Sequence, residues 1–512
     1  MITDSDNSKR IAKNTLLLYF RMILTMTVSL YTVRVVLNTL GVIDYGIFNV
    51  VAGIVTTFSF LSVTLATATQ RFFSFELGRQ NYEQLKKTFS MTMTIYIMVA
   101  IIILLLAETL GLWFLNTKMT IPSGRIDTAN WIYQFSILSF MMTMFTIPYD
   151  AVIIAYERMN VYAYVSMIEV SLKLLIVYLL LIVPMDKLKL YAILIFGVTT
   201  IITLIYRTYC QKKFDECHYS FFWDKKLFKE IAGYSGWNLF GSLAGVFNDQ
   251  GINMLLNVFF NPVINAARGI AFQISNTINL FVSNFSTAVN PQIIKYYAQN
   301  EREKMQILVF QSSKFSYFLL FVLTMPVLLE TDLILSLWLK VIPEYVVLFT
   351  RLVIIMVLID SLSGPLITSA LATGEIKYYQ IIIGGFKLLN LPICFFLLSI
   401  GYPPQTTMYV AIVMSFFSLF IRLSLLKKML YFDVMKYVCD VLLRILLSSL
   451  LAYSLALYLQ FVLDRTIINL ISIVFVSSIF SLVIIYFTGL SKRDRGFLNT
   501  IVASKLLKRS KS

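Results

Sequence analysis

Charge is scarce in this chain and histidine is nearly missing. Only 14% of the 512 residues are charged, and His218 is the one histidine. Soluble domains carry about a quarter charged residues, so an ordinary soluble fold is excluded. His218 stands in a basic stretch beside Cys217 with no second ligand near it. No H-E-x-x-H site follows, and no metal site. The four cysteines, Cys210, Cys217, Cys394 and Cys439, contain no C-x-x-C pair, which removes a disulfide or metal framework. Walker A, G-x-G-x-x-G and G-x-S-x-G sequences are also missing. That excludes a nucleotide-driven pump, a dinucleotide enzyme and an α/β hydrolase. No cofactor is expected, apart from coupling to H+ or Na+. Alternating apolar and polar residues, the mark of a barrel strand, are not found. No small-residue cleavage site follows the polar segment Met1–Lys13, so the first apolar run reads as an uncleaved span.

What the chain has is apolar length. Hydrophobic residues make up 58%, and the mean hydropathy is +0.78. Charges gather in short clusters between apolar runs of about twenty residues, the length that crosses a 30 Å hydrocarbon core. Backbone amides cannot stay unpaired in lipid, so each run must be a helix. The pattern predicts an all-α polytopic membrane protein of about fourteen transmembrane helices. The expected spans are 14–37, 45–70, 89–115, 130–155, 161–183, 188–208, 231–258, 264–290, 311–337, 344–371, 378–399, 406–427, 437–462 and 467–489. Pro148, Gly241, Gly245, Pro326, Gly364 and Pro365 interrupt them. Such residues often mark kinks or close helix contacts.

The formal net charge is +16, but the cations lie between spans and not along one soluble face, so no nucleic acid is expected as partner. Of the 43 Lys and Arg, 30 fall on the side of the two termini, 6 on the other, and seven within spans. The positive-inside rule then puts both termini in the cytoplasm. Outer loops are short, the longest near Asn116–Ala129. The basic loop around Phe221, Phe222 and Trp223 is expected on the anionic leaflet.

Segments 217 to 224 residues apart resemble each other. LNTLGVIDYGIFNVV from Leu37 resembles LNVFFNPVINAARGIAF from Leu256. Pro148, AYERMNVY and Lys173 match Pro365, ATGEIKYY and Lys387. The expectation is a parallel pair of six-helix repeats with two further helices added. The expected divisions are a cytoplasmic N-terminus 1–13, a first lobe 14–208, a basic linker 209–230, a second lobe 231–427, two additional helices 428–489 and a basic tail 490–512.

The opening KRIAKNTLLLYFRMILTMTVSLYTVRVVLNTLGVIDYGIFNVV, followed by ATQRFFSFELGR, resembles the polysaccharide transporter family of the MOP flippase superfamily. That family includes Wzx-type flippases for O-antigen, capsule and exopolysaccharide units. The resemblance covers spans 1 to 12 in layout, with its specific motif in the first 90 residues. It implies a V-shaped, MATE-like bundle working by alternating access. The implied substrate is an oligosaccharide on undecaprenyl pyrophosphate, and polysaccharide polymerase machinery and membrane lipids are the implied partners. Fourteen spans also resemble the lipid II flippase branch. Arg21, Arg34 and Arg268 fall where that branch carries cavity arginines, and Asp249 falls in the helix where it carries a cation-binding acid. This sequence lacks the further arginine that branch has in helix 2.

The seven intramembrane cations are Arg21, Arg34, Lys173, Arg268, Arg351, Lys387 and Arg444, against the carboxylates Asp150, Glu169, Asp249 and Asp360. Each charge costs about 2.5–3.5 kcal/mol if it faces lipid. A cationic surplus suits a pyrophosphate, which guanidinium groups grip bidentately. The candidate phosphate ligands are Arg21, Arg34, Arg268, Lys387, Lys173 and Arg351. Asp249 is the ion-coupling candidate, with pairing to Arg268 or Arg21 as its plainer role. Arg21, Arg34, Arg268 and Arg444 lie near span ends, where snorkelling is the plainer reading. Glu169 is placed to pair with Lys173 one turn away, Arg351 can pair with Asp360, and Lys387 has no such neighbour in sequence. The alternatives are a MATE-like small-molecule exporter or lipid II flippase, and a membrane-embedded polysaccharide polymerase or ligase. The last commonly needs a large outer loop, which is not expected here.

Overall fold

The computed structural model describes residues 4–496 except 57, 118, 120, 122, 261, 340, 341 and 463–466. For some helical residues, Arg34 among them, it describes the backbone alone. Every regular element among the described residues is helical. Nine helices there are long and apolar enough to cross a membrane. The chain divides into two compact units, 14–239 and 240–512 with 1–13.

The unit 14–239 contains α1 (Asp4–Thr56), α2 (Ser59–Gly78), α3 (Tyr82–Leu106) continuing through a π turn into α4 (Leu112–Thr117), α5 (Ile126–Ala155), α6 (Met159–Ile182), α7 (Lys187–Lys213) and the start of α8 (Lys225–Phe259). The break expected between residues 37 and 45 is absent, and α1 runs unbroken for 53 residues. No proline falls in α1, and the lone Gly41 and Gly46 do not end a helix by themselves. Chemistry still marks the rim there. Arg125 donates to Asp44 at 2.7 Å and to Asp186 at 2.5 Å, tying α1, α5 and α7 together at one end. Asp186 also caps α7, accepting from the backbone N–H of Leu188 and Lys189. Burial would raise its pKa, but these donors and Arg125 outweigh it and hold the carboxyl below the usual range.

The unit 240–512 holds the rest of α8, then α9 (Pro262–Ala298), α10 (Arg302–Leu329), α11 (Thr331–Trp338), α12 (Val346–Ser361), α13 (Ser363–Ala372), α14 (Lys377–Leu388), α15 (Asn390–Ser399), α16 (Thr406–Leu430), α17 (Val434–Tyr437), α18 (Leu443–Val462) and α19 (Ile467–Ile484). Two expected spans are broken midway, each for the same reason. Proline cannot donate to the carbonyl four residues back and its ring crowds that residue. The residues four back from Pro365 and Pro392 are Ser361 and Leu388, where α12 and α14 end. Both prolines then sit in the first turn of α13 and α15, where the missing N–H is tolerated. Pro148 leaves α5 continuous.

The internal repeat is visible in the packing and in the backbone. In one unit α5 packs on α2, α3 and α7, and α6 packs on α7. In the other, α12 and α13 pack on α9, α10 and α16, and α14 and α15 pack on α16. The chain leaves α2 through a left-handed residue, Gln80 (φ 57°), and leaves α9 through Asn300 (φ 58°). The N–H of Asn81 returns to the Glu76 carbonyl at 3.1 Å, and that of Glu301 to the Tyr296 carbonyl at 2.9 Å, closing the same helix terminus twice. Glu157 (φ 58°) after α5 corresponds to Gly374 (φ 82°) after α13.

The last helices dock by close contact. A Cβ at Gly489 would lie 2.6 Å from the Phe318 ring of α10 and 2.9 Å from the Ser448 hydroxyl of α18. The aromatic ring has little room to yield. Gly489→Ala should therefore lower stability by about 1–3 kcal/mol. A thermal melt of the purified protein within error of wild type would contradict this.

Candidate functional site

Each unit carries its own cluster of charge in the apolar part of its helices. In the unit 240–512, the helix breaks create it. Asp360 and Lys387 each stand five residues before a proline, and so in the last turn of a half-helix. A lysine there is favoured by the exposed carbonyls, and an aspartate is disfavoured unless cations oppose it. Lys387 and Arg422 are within electrostatic reach of Asp360, and Ser415 lies beside it. Asp249 lies within reach of both Lys387 and Asp360. Asp249, Asp360 and Lys387 are exposed, while Arg422 and Arg268 are 5% and 6% exposed.

The two arginines are held by neutral groups. Arg422 donates to the Tyr379 hydroxyl. Arg268 donates to the Asn253 side-chain carbonyl and lies over the Phe272 ring, 4.2 Å from its centroid. Asp249 is within electrostatic reach of Arg268 but forms no ion pair among the described residues. Asn390 braces the cluster from α15, donating to the Asn248 side chain at 2.9 Å. The packing of α8 on α14 and α15 is tight, since a Cβ at Gly241 or Gly251 would meet Gln380 at 2.1 Å or Leu391 at 2.4 Å. Gly245, by contrast, has open space. On α9, Gln273, Asn276, Asn279 and Ser283 are exposed at helical spacing, forming a polar stripe.

In the unit 14–239, Arg21 lies over the Tyr162 ring at 4.3 Å from its centroid. Asp150, on α5, lies beside Tyr206 and within electrostatic reach of Arg21 and Glu169. The Arg21 Nε and one Asp150 carboxylate oxygen are buried without a hydrogen-bond partner. Lys173 donates to Glu169 at 2.6 Å, the pair expected from their spacing. Tyr162 and Tyr379 occupy the same place in the two repeats, AYERMNVY and ATGEIKYY, and each holds an arginine from another helix.

Several sequence expectations are revised. Arg351 does not meet Asp360. It binds Asp332 at 2.8 Å and the Thr331 hydroxyl at 3.2 Å, because it lies in the second turn of α12, more than two turns from the break where Asp360 stands. Lys387 is not without acids, since folding brings Asp360 and Asp249 to it. Arg444 is 3.6 Å from Asp440, one turn away on its own helix. Arg34 is named above as a candidate, but its side chain lies outside the described residues. Arg422 is one of the 30 cations assigned to the side of the termini, and the fold places it with the interior ones. The signal for it was its place inside an apolar run, five residues before Lys427. For Asp360 and Lys387 together, the signal was the spacing to Pro365 and Pro392. With these revisions, Arg21, Lys173, Arg268, Lys387 and Arg422 face Asp150, Glu169, Asp249 and Asp360. Within these groups two cations meet two acids in the first unit, and three cations meet two acids in the second. No group of His, Cys, Asp and Glu among the described residues is arranged to hold a metal.

The fold is that of MATE transporters of the MOP superfamily. A MATE point mutant superposes with a TM-score of 0.70 at 11% identity over 82% of this chain and 97% of its own. The Vibrio cholerae MATE transporter VcmN in its bent form gives 0.65 at 16% identity over 84% and 99%. A MOP superfamily transporter from Pyrococcus furiosus, described as having a binding pocket of reversed polarity that suggests a different function, gives 0.66 at 13% identity over 85% and 99%. No family model matches the sequence, and no curated protein does. At these identities the similarity establishes the MATE fold alone.

Proposed function

We propose that this protein is a flippase, not an enzyme, moving oligosaccharides linked to undecaprenyl pyrophosphate from the cytoplasmic to the periplasmic leaflet of a bacterial inner membrane. The observation that carries the reading is the trio Arg268, Lys387 and Arg422 set against the two acids Asp249 and Asp360. Charges at bilayer depth need a hydrated path or an opposite charge, and a diphosphate supplies the second. Arg268 and Arg422 each keep a buried Nε without a partner, which leaves donor capacity for an anion. The amide and hydroxyl stripe of α9 suits sugar hydroxyls. Asp249, exposed and unpaired among the described residues, is the candidate for H+ or Na+ coupling, because no ATP-binding sequence is present. The 30-to-6 distribution of cations supports cytoplasmic termini.

A second reading, a MATE-like exporter of small cations, is favoured by the fold and by the charge balance of the first unit. The two differ in what accumulates without the protein. In a strain lacking it, lipid-linked repeat units should remain in the cytoplasmic leaflet. Wild type should clear them, and Arg21→Ala, Arg268→Ala and Lys387→Ala should clear them far more slowly. Clearance by all three at matched expression would refute the cation model. Normal flipping combined with sensitivity to organic cations would favour the exporter.

A further inference from the structure

The charge-rich cavity of the unit 240–512 lies away from the interior cluster. It occupies about 520 Å³ where α10 and α18 meet the segment after α19. Six cations line it: Lys314, Lys436, Arg444, Lys492, Arg493 and Arg495. The two acids in its wall are already engaged. Asp494 binds Lys314 and accepts from Gln311 at 3.0 Å and from the Ser491 backbone N–H at 2.9 Å. Asp440 faces Arg444. Arg495 is fixed by the Leu490 and Phe487 carbonyls. Lys436, Lys492 and Arg493 have no carboxylate partner among the described residues, and the Arg444 Nε is buried without an acceptor.

This surplus sits at the edge of apolar surface. Phe487 and Leu443 are 64% and 47% exposed, and Leu446, Leu447 and Leu450 continue outward along α18. A cationic cavity at the end of a lipid-facing helix stands at headgroup depth. We infer that the cavity binds the phosphate of an acidic phospholipid, whose acyl chains lie along the exposed leucines of α18. This site is separate from the transported substrate and does not depend on its identity.

The test uses the purified full chain in nanodiscs of phosphatidylethanolamine and phosphatidylglycerol, with retained lipid read by native mass spectrometry. Lys436→Gln, Lys492→Gln and Arg493→Gln together should cut retained phosphatidylglycerol about tenfold or more. The triple substitution of Arg79, Lys86 and Lys87 by Gln removes equal charge from the other unit and should retain it. The Lys314–Asp494 pair is left intact, and melting temperatures confirm that both variants fold. Equal retention by wild type and the cavity variant would overturn the inference, as would equal loss in the control variant. Glycerol phosphate without chains should compete poorly. If it displaces the lipid at comparable concentration, the site is a soluble-phosphate site and the assignment to phospholipid fails.

Discussion

Asp494→Ala should lower unfolding stability by about 3–5 kcal/mol, the penalty for leaving one partner of a buried ion pair alone. Lys314 and Asp494 are 3% and 2% exposed, and the pair fixes the segment after α19 to α10. Without the carboxylate, the buried Lys314 ammonium loses its acceptor. Replacing both, as Lys314→Met with Asp494→Leu, should restore much of the loss, because the uncompensated charge is then gone. The effect has a defined pH dependence. Burial by itself would raise the Asp494 pKa, but Lys314 and the donors of Ser491 overcome it and hold the carboxyl below the usual range. A depressed carboxylate stabilises above its unfolded value, about 3.9, and that stability fades as pH falls through the folded value. Thermal melts should therefore separate wild type from Asp494→Ala at neutral pH and converge in strong acid. Similar melting at neutral pH would show that the pair does not hold the segment.

The helical membrane architecture could be read from composition because lipid leaves the backbone few choices. A run of twenty apolar residues has to hydrogen-bond to itself, so every regular element among the described residues is helical and nine helices there are long and apolar enough to cross. The repeat was legible for a related reason: the same turn bond closes α2 and α9, a left-handed residue follows both α5 and α13, and turn residues leave a local signature. Interruptions were harder to judge. Gly241 and Gly245 look alike in sequence, yet Gly241 lies against Gln380 and Gly245 against nothing. Residues 37–45 looked like a turn between spans, and the helix continues through them. Hydropathy locates where a chain leaves lipid, not where a helix must end.

The charged site was only partly legible, because pairing depends on which helices meet. Glu169 and Lys173 are one turn apart on one helix, so spacing alone gave their contact. The partners of Lys387 come from α8, α12 and α16, and no local rule brings these together. Arg422 illustrates the same difficulty. A cation near a helix end reads as an interfacial anchor until the fold shows it buried against Tyr379. The surplus of seven cations over four acids therefore contracted to five over four once Arg351 and Arg444 found acids, Arg422 joined the interior, and Arg34 fell outside the described residues. A smaller surplus is a narrower argument for an anionic substrate, but it is localised at three named side chains.

That localisation separates two lysines that the repeat makes equivalent. Lys173 is neutralised by Glu169 on its own helix, half exposed, in a pair of the kind that contributes about 0.2–0.5 kcal/mol. Lys387 stands at a proline-made helix end, shares Asp360 with Arg422, and supplies part of the net positive charge. A hydrogen bond from a charged donor to substrate is worth about 1.5–3 kcal/mol. Lys387→Ala should then slow clearance of lipid-linked repeat units by on the order of ten- to a hundredfold, with Lys173→Ala changing it less than about threefold. Lys387→Arg should keep part of the activity, since charge survives while reach and geometry change. The measurement is leaflet-resolved accumulation of the intermediate at matched expression. If Lys173→Ala proves the more damaging of the two, the phosphate site does not lie where α14 breaks, and the balanced cluster around Arg21 and Asp150 becomes the place to look for it.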